Sequence, residues 1–358
     1  MKKRITALFC AAALLLTGCS SMLERESVSV TLHNSAPSTD GSPSILKAGS
    51  YQELVNALVY LVDQGQETGT IRVYTDKDDV AGHLEDACLE LIREDPLGAY
   101  AVNHISYEIS PLVTCSEADV TIDYRRTPQQ IASVVPVTGT TAIRAALKEA
   151  MNEYAPEAVL RIGYFDRDPN YFLSLARQAF YDDPVTALDY PDMDMAIYPD
   201  KGRRRIVELS FTYHLSRDEL AARESVLKQE LVQLARTVPF SAGIPFILSA
   251  ADALLLKTSY DPEGGSTAWH ALTDHTANNE GLTLAFACLC QELKIPFRVA
   301  EGTLEGSPRF WTIVSTPEGW RHIDLTRSEE LLTDAEAKDI GYRWDAASLP
   351  KCAPPIAN

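Results

Sequence analysis

Asn279-Glu280-Gly281-Leu282-Thr283-Leu284-Ala285-Phe286 opens the stretch on which the fold of this 358-residue chain turns. Asn is among the best helix N-caps, because its side-chain oxygen accepts a backbone N–H that the first turn leaves without a partner. Leu282, Phe286, Leu289 and Leu293 then recur at helical spacing, so Asn279 reads as the cap of a helix with one buried stripe. Cys288 and Cys290 fall within that helix and read as small buried hydrophobes, since C-x-C is not a zinc-knuckle spacing. Further on, His322 and Asp324 share one strand face by the two-residue period.

The neighbouring segments agree with this in order and spacing. Ser259-Tyr260-Asp261, Ser266-Thr267-Ala268-Trp269-His270-Ala271-Leu272, residues 279–286 and Leu293-Lys294-Ile295-Pro296 resemble the bacterial transglutaminase-like superfamily. Arg309-Phe310-Trp311 falls where that family carries its His, and Gly319-Trp320-Arg321-His322-Ile323-Asp324-Leu325-Thr326 resembles the strand with its Asp. The likeness covers roughly the last third of the chain. It implies an α+β, papain-like cysteine protease fold with a Cys-His-Asp triad. In such a triad the helix N-terminus favours a thiolate, His takes its proton and Asp orients the imidazole.

Here the three slots hold Asn279, Arg309 and Asp324. An Asn amide is no nucleophile for acyl transfer, and Arg stays protonated at physiological pH, so it cannot act as a base. The resemblance therefore implies a degenerate triad in which Arg309 pairs with Asp324. Asn279, Arg309, Trp311 and Asp324 would line a cleft holding a peptide, a peptidoglycan stem or a protein partner, with Arg309 suited to a carboxylate. A competing reading is a transamidase, peptidase or amidase built on another constellation. For that, His275 lies just before the helix, Ser266 and Thr267 have no matched base, and Cys288 and Cys290 sit more than two turns inside the helix. A third reading is a structural envelope protein.

Working outward, the middle of the chain repeats itself. Ser50-Tyr51-Gln52-Glu53 is a capping box opening a helix with Leu54, Leu58 and Leu61 on one face. A strand at Ile71-Arg72-Val73-Tyr74, a helix over about 80–92 and strands at 105–109 and 120–124 follow. Ile143 and Leu147 lie 89 positions after Leu54 and Leu58, Leu160-Arg161-Ile162 lies 89 after Ile71-Arg72-Val73, and Tyr213 lies 89 after Tyr124. Asp183-Pro184 follows Asp95-Pro96 by 88. The expectation is two tandem αβαββ units, residues 49–138 and 139–225, ahead of the transglutaminase-like domain at 226–358. Arg203-Arg204-Arg205 reads as a solvent turn beside a strand, with contact to a phosphate or anionic polymer as the alternative.

Lys2-Lys3-Arg4 precedes an apolar run from Ile5 to Thr17 that is short for a bilayer span and right for a secretory h-region. The run ends in Leu16-Thr17-Gly18-Cys19, which resembles the lipobox of bacterial lipoproteins. That resemblance implies a signal peptide over 1–18, lipidation of Cys19 and a tether over 19–48, rich in Ser, Thr, Pro and Gly, within which Val28, Val30 and Leu32 alternate like a short strand. The expected address is the outer face of a bacterial membrane, in the cell envelope.

Composition bounds all of this. Hydrophobic residues at 46% and charged residues at 23% describe a globular chain. A net charge of −18 would repel a phosphate backbone, so a whole-chain nucleic-acid binder is excluded. Once Cys10 and Cys19 are set aside, five cysteines remain, too few for a disulfide framework. Neither a metal nor a cofactor is expected.

Overall fold

The computed structural model describes residues 36–74, 79–165 and 167–354. The secretory run, Cys19 and the Val28, Val30, Leu32 alternation lie outside the described residues. The chain divides into two compact units. Of the described residues, those up to Ile143 with Arg161–Phe165 and Tyr198–Ile206 make one, and Arg144–Leu160, the stretch from Arg167 to Ile197 and those from Val207 onward make the other.

In the first unit, β1 (Ile45–Ala48), α1 (Tyr51–Asp63), β2 (Thr68–Val73), α2 (Val80–Glu94), α3 (Pro96–Ala101), β3 (Val102–Pro111) and β4 (Ser116–Tyr124) follow one another. They build a sheet of order β1-β2-β4-β3 in which β1 and β2 are parallel and the other pairs antiparallel. Leu54, Leu58 and Leu61 of α1 are buried, as their spacing predicts. The capping box is half made. Ser50 accepts from Glu53 N, but the Glu53 carboxylate reaches one residue further back and takes Gly49 N at 2.7 Å. Asp95 ends α2 and caps α3 with its side chain, accepting from Leu97 N and Gly98 N at 2.9 and 3.0 Å, while Pro96 fills the first helical position. The unit also holds α4 (Pro128–Ala132), closed by a full Thr127–Gln130 capping box, and β5 (Val135–Val137).

Next come α5 (Gly139–Asn152), β6 (Glu157–Ile162), α6 (Pro169–Tyr181), β7 (Asp192–Tyr198) and β8 (Arg205–Thr212). The strand order β6-β8-β7 is the same as the order β2-β4-β3. The two segments differ at the Asp-Pro landmark: Asp183-Pro184 lies in a turn and starts no helix.

The remainder of the second unit surrounds a single helix. The segments are α7 (Arg217–Thr237), α8 (Ile244–Lys257), β9 (Ser259–Tyr260), α9 (Ala268–Thr273), β10 (Thr276–Ala277), α10 (Asn279–Glu292), β11 (Phe297–Leu304), β12 (Ser307–Thr316), β13 (Gly319–Asp324), β14 (Ser328–Leu332), α11 (Asp334–Ile340) and β15 (Tyr342–Trp344). An antiparallel sheet of order β14-β13-β12-β11-β15 packs by β11 and β12 against α10, whose other sides meet α7, α8 and α9. The sequence predicts one buried stripe on α10. Instead every residue from Gly281 to Cys290 is buried, because the helix has neighbours all round, and Leu293 is its half-buried C-cap. Gly281 permits the closest of these approaches: a Cβ there would stand 2.4 Å from the Gly265 carbonyl oxygen. The β11–β12 hairpin turns at Glu305 and Gly306, with φ of 51° and 86°, the two left-handed positions of a two-residue turn whose twist matches its strands.

Candidate functional site

The fold brings Asn279, Arg309 and Asp324 together at the start of α10, through a fourth residue that the sequence reading did not single out. The Thr326 hydroxyl accepts from Asn279 Nδ2 at 3.3 Å, accepts from Arg309 Nη2, and donates to Asp324 Oδ1 at 2.7 Å. Arg309 Nε donates to Asp324 Oδ2 at 2.7 Å, so the expected ion pair is formed, with the carboxylate side chain only 6% exposed and the guanidinium 17%. Asp324 also accepts from Thr326 N at 3.1 Å and from the Tyr342 hydroxyl at 2.8 Å. Burial works against the charge of Arg309, but the bond and attraction to Asp324 outweigh it and raise its pKa. Burial, followed by the Asp324 charge, pushes the Tyr342 hydroxyl well above its usual range.

Asn279 does not cap the helix. Asn278 does, accepting from Gly281 N at 3.0 Å, and Asn279 occupies the first helical position. Its amide reads the backbone of β12 instead: Oδ1 accepts from Phe310 N at 2.6 Å and Nδ2 donates to Phe310 O at 2.8 Å. The Asn279 side chain thus fastens helix to strand with both of its polar atoms.

Trp311, expected to line a cleft, does not. It is 1% exposed and lies in a core with Ala300, Ile313, Ala337, Tyr342 and Cys352. Its indole N–H donates to His322 Nδ1 at 2.8 Å, and His322 Nε2 meets Asp334 Oδ1 at 2.9 Å. An indole can only donate, so Nδ1 accepts and the ring proton sits on Nε2, directed at Asp334. Burial lowers the His322 pKa, in keeping with a neutral ring. His322, Asp334 and Cys352 place one donor atom each within 4.8 Å of the others. That trio is poorly suited to a metal, because the Nε2 lone pair a cation needs is occupied by a proton while Trp311 holds Nδ1.

The first turn of α10, just after Asn279, is covered by a residue from α6. Tyr181 is buried, its hydroxyl donates to Glu280 Oε1 at 2.6 Å, and its ring lies 5.5 Å from that of Phe310. Burial raises the pKa of Glu280, with the Tyr181 bond and Arg177 opposing. The tandem repeat implies a second helix in this segment, and nothing local marks Tyr181 as the residue that reaches Glu280.

The other candidates lie elsewhere. His275 is exposed, with a φ of 61°, and makes no hydrogen bond to the site among the described residues. Thr267 caps α9, and its hydroxyl meets His270 Nδ1 at 2.7 Å; burial lowers the pKa of that histidine. Cys88, Cys115, Cys288, Cys290 and Cys352 are free and buried. Burial pushes the thiol of Cys88 up to about 11 and that of Cys352 to about 12, and raises Cys288 and Cys290 further. A thiolate nucleophile needs the opposite shift. Among the described residues, no helix is long and apolar enough to cross a membrane.

Searches against protein families and against curated protein sequences give no match to this chain. Solved structures give likenesses at low score. A crystal structure of a TGase matches with a TM-score of 0.27 and 15% identity, over 52% of this chain and 56% of that one. A candidate cysteine protease from Cytophaga hutchinsonii matches at 0.26 and 14%, over 44% of this chain and 68% of that one. A candidate protease from Parabacteroides distasonis ATCC 8503 matches at 0.23 and 8%, over 72% and 40%. The chain spans about half the length of the first of these structures.

Proposed function

We propose that this chain is an exported lipoprotein whose carboxy-terminal, transglutaminase-like domain has lost its catalytic residues and serves as a binding and scaffolding module in the cell envelope. The observation that carries the reading is the Arg309–Asp324 ion pair at 2.7 Å, with Asn279 fastened to the Phe310 backbone beside it. A nucleophile slot needs a group free to attack and a base free to accept a proton. Here both positions hold side chains committed to structural bonds, and neither can perform the step. Raised, buried thiols supply no substitute.

In this reading residues 49–138 and 139–225 are tandem copies of one unit, supported by the shared strand order and the 89-residue offset. Cys19 carries the lipid anchor, and the partner is a peptide, a peptidoglycan stem or a protein, with no nucleic acid. Two measurements test the proposal. Expression with a radiolabelled fatty acid is expected to label the wild type and not Cys19→Ser. Purified chain incubated with a glutamine peptide and a fluorescent amine is expected to give no transamidation and no ammonia release. Turnover that an alkylating agent abolishes overturns the loss of catalysis, and equal labelling of Cys19→Ser overturns the anchor.

A further inference from the structure

A cavity of about 250 Å³ lies beside the Tyr181 contact, between α6, β11 and the segment after β15. Three guanidinium groups and their counter-charges set its chemistry: Arg144, Arg177 and Arg298 line it together with Glu301 and Asp345. Two of the cations are already neutralised. Arg144 holds both oxygens of Asp182 at 2.5 and 2.6 Å and gives Nη1 to Gln178 Oε1 at 3.0 Å. Arg177 Nε bonds Glu301 Oε2 at 2.5 Å, and its guanidinium lies over the Tyr190 ring at 5.3 Å. Both cations already have a carboxylate partner.

Arg298 and Asp345 are different. Among the described residues the only side-chain hydrogen bond of Arg298 runs from Nη1 to the Phe297 carbonyl, at 2.8 Å. Asp345 accepts from Ala347 N at 3.0 Å through Oδ1. Both line one cavity, and among the described residues they form no ion pair with each other or with another residue. The cavity therefore presents one cation and one anion, each open to a ligand, between walls that include Tyr181, Val299 and Leu349.

We propose that this cavity binds a short peptide or amino acid as its zwitterion, the carboxylate on Arg298 and the ammonium on Asp345. Each end would gain a charge-assisted hydrogen bond, and a planar guanidinium fits a carboxylate with two parallel N–H donors. The volume lies below the range of drug-sized sites, which limits the occupant to about two or three small residues. The inference rests on the reading of a binding module, yet uses none of the three slot residues.

Calorimetric titration of the purified chain with trialanine, N-acetyl-trialanine and trialanine amide tests it. Trialanine is expected to bind saturably, and masking either terminus to weaken binding about tenfold or more. Arg298→Gln should weaken trialanine by a similar factor and no longer discriminate against the amide. Asp345→Asn should likewise stop discriminating against the acetylated peptide. Both residues are exposed, so the melting temperature checks that each variant folds, and either variant alone completes the cycle. Absence of saturable heat, equal binding of the capped peptides, or retained discrimination in both variants overturns the proposal. Saturable, terminus-dependent binding accompanied by hydrolysis of the peptide upholds the pocket and overturns the non-catalytic reading instead.

Discussion

Removing the Arg309 side chain is the sharpest test of what holds the Asn279–Arg309–Asp324 network together. In Arg309→Ala the Asp324 carboxylate, 6% exposed, loses its only cationic partner among the described residues, and Thr326 loses one of its two donors. Breaking a buried ion pair from one side typically costs ~3–5 kcal/mol, because the remaining charge is left in a poorly solvated site. Asp324 keeps the Thr326 N, Thr326 Oγ1 and Tyr342 hydroxyl bonds, which places the expected loss at the low end, ~3 kcal/mol. For a domain of this size that lowers the melting temperature by roughly 6–12 °C. All four tryptophans, Trp269, Trp311, Trp320 and Trp344, belong to the second compact unit, so selectively excited tryptophan fluorescence during thermal and urea unfolding follows that unit alone. Asp324→Ala and the double variant complete a cycle in which the double change should cost at least ~1 kcal/mol less than the sum of the singles. A loss under ~1 kcal/mol for Arg309→Ala, or strict additivity, refutes the claim that the pair is the fastening of the site.

Other outcomes follow from the same geometry. The thiols of Cys88, Cys288, Cys290 and Cys352 are buried and raised, so mass-spectrometric alkylation at pH 7 should stay slow until the protein is unfolded; one fast site in the folded chain would contradict this. Glu280 has a folded pKa above its ordinary 4.5, chiefly from burial, so its charge destabilises the fold increasingly as pH rises through that value. Glu280→Gln should then melt higher than the wild type at pH 7 and level with it near pH 4, and a variant that melts lower at pH 7 defeats the argument. His214 has its pKa raised by a hydrogen bond to Asp189, so its contribution is complete below its ordinary 6.5 and fades as pH climbs through the raised value. Melting curves of His214→Gln and the wild type should separate at pH 6 and converge at alkaline pH. A Cβ at Gly302 would stand 2.1 Å from Arg343 O, so Gly302→Ala should disrupt the β11–β15 pairing and melt at least several degrees lower, while unchanged melting would show that the edge strand shifts freely.

Much of the site was legible because its chemistry is local. Ordered motifs singled out Asn279, Arg309 and Asp324, which do meet in the fold, and that an Asn amide is no nucleophile and an Arg no base follows from the functional groups themselves. The errors share one cause. Asn278 and Asn279 are equally good caps by composition, and the choice between them was made by the Phe310 backbone, which claims the amide of Asn279 from another element. Trp311 follows Arg309 on the same strand face, yet two residues along that face α11 and the carboxy-terminal segment cover the sheet, and the indole is enclosed. The half-made box at Ser50 has the same origin on a smaller scale, since a flexible Glu53 found Gly49 N within reach.

The amino-acid sequence by itself determined the strongly acidic charge, the buried face that Leu54, Leu58 and Leu61 give their helix, and what the Asn279 amide and the Arg309 guanidinium are able to do as functional groups. Those properties belong to single residues or to spacings within one element, where periodicity and functional-group chemistry suffice. Only the tertiary structure decided that Thr326 ties Asn279, Arg309 and Asp324 into one network, that Tyr181 lies over Glu280, and that Arg298 and Asp345 border one cavity unpaired. Each of those joins residues far apart in the chain, and their meeting depends on how sheets and helices pack, which no local pattern encodes.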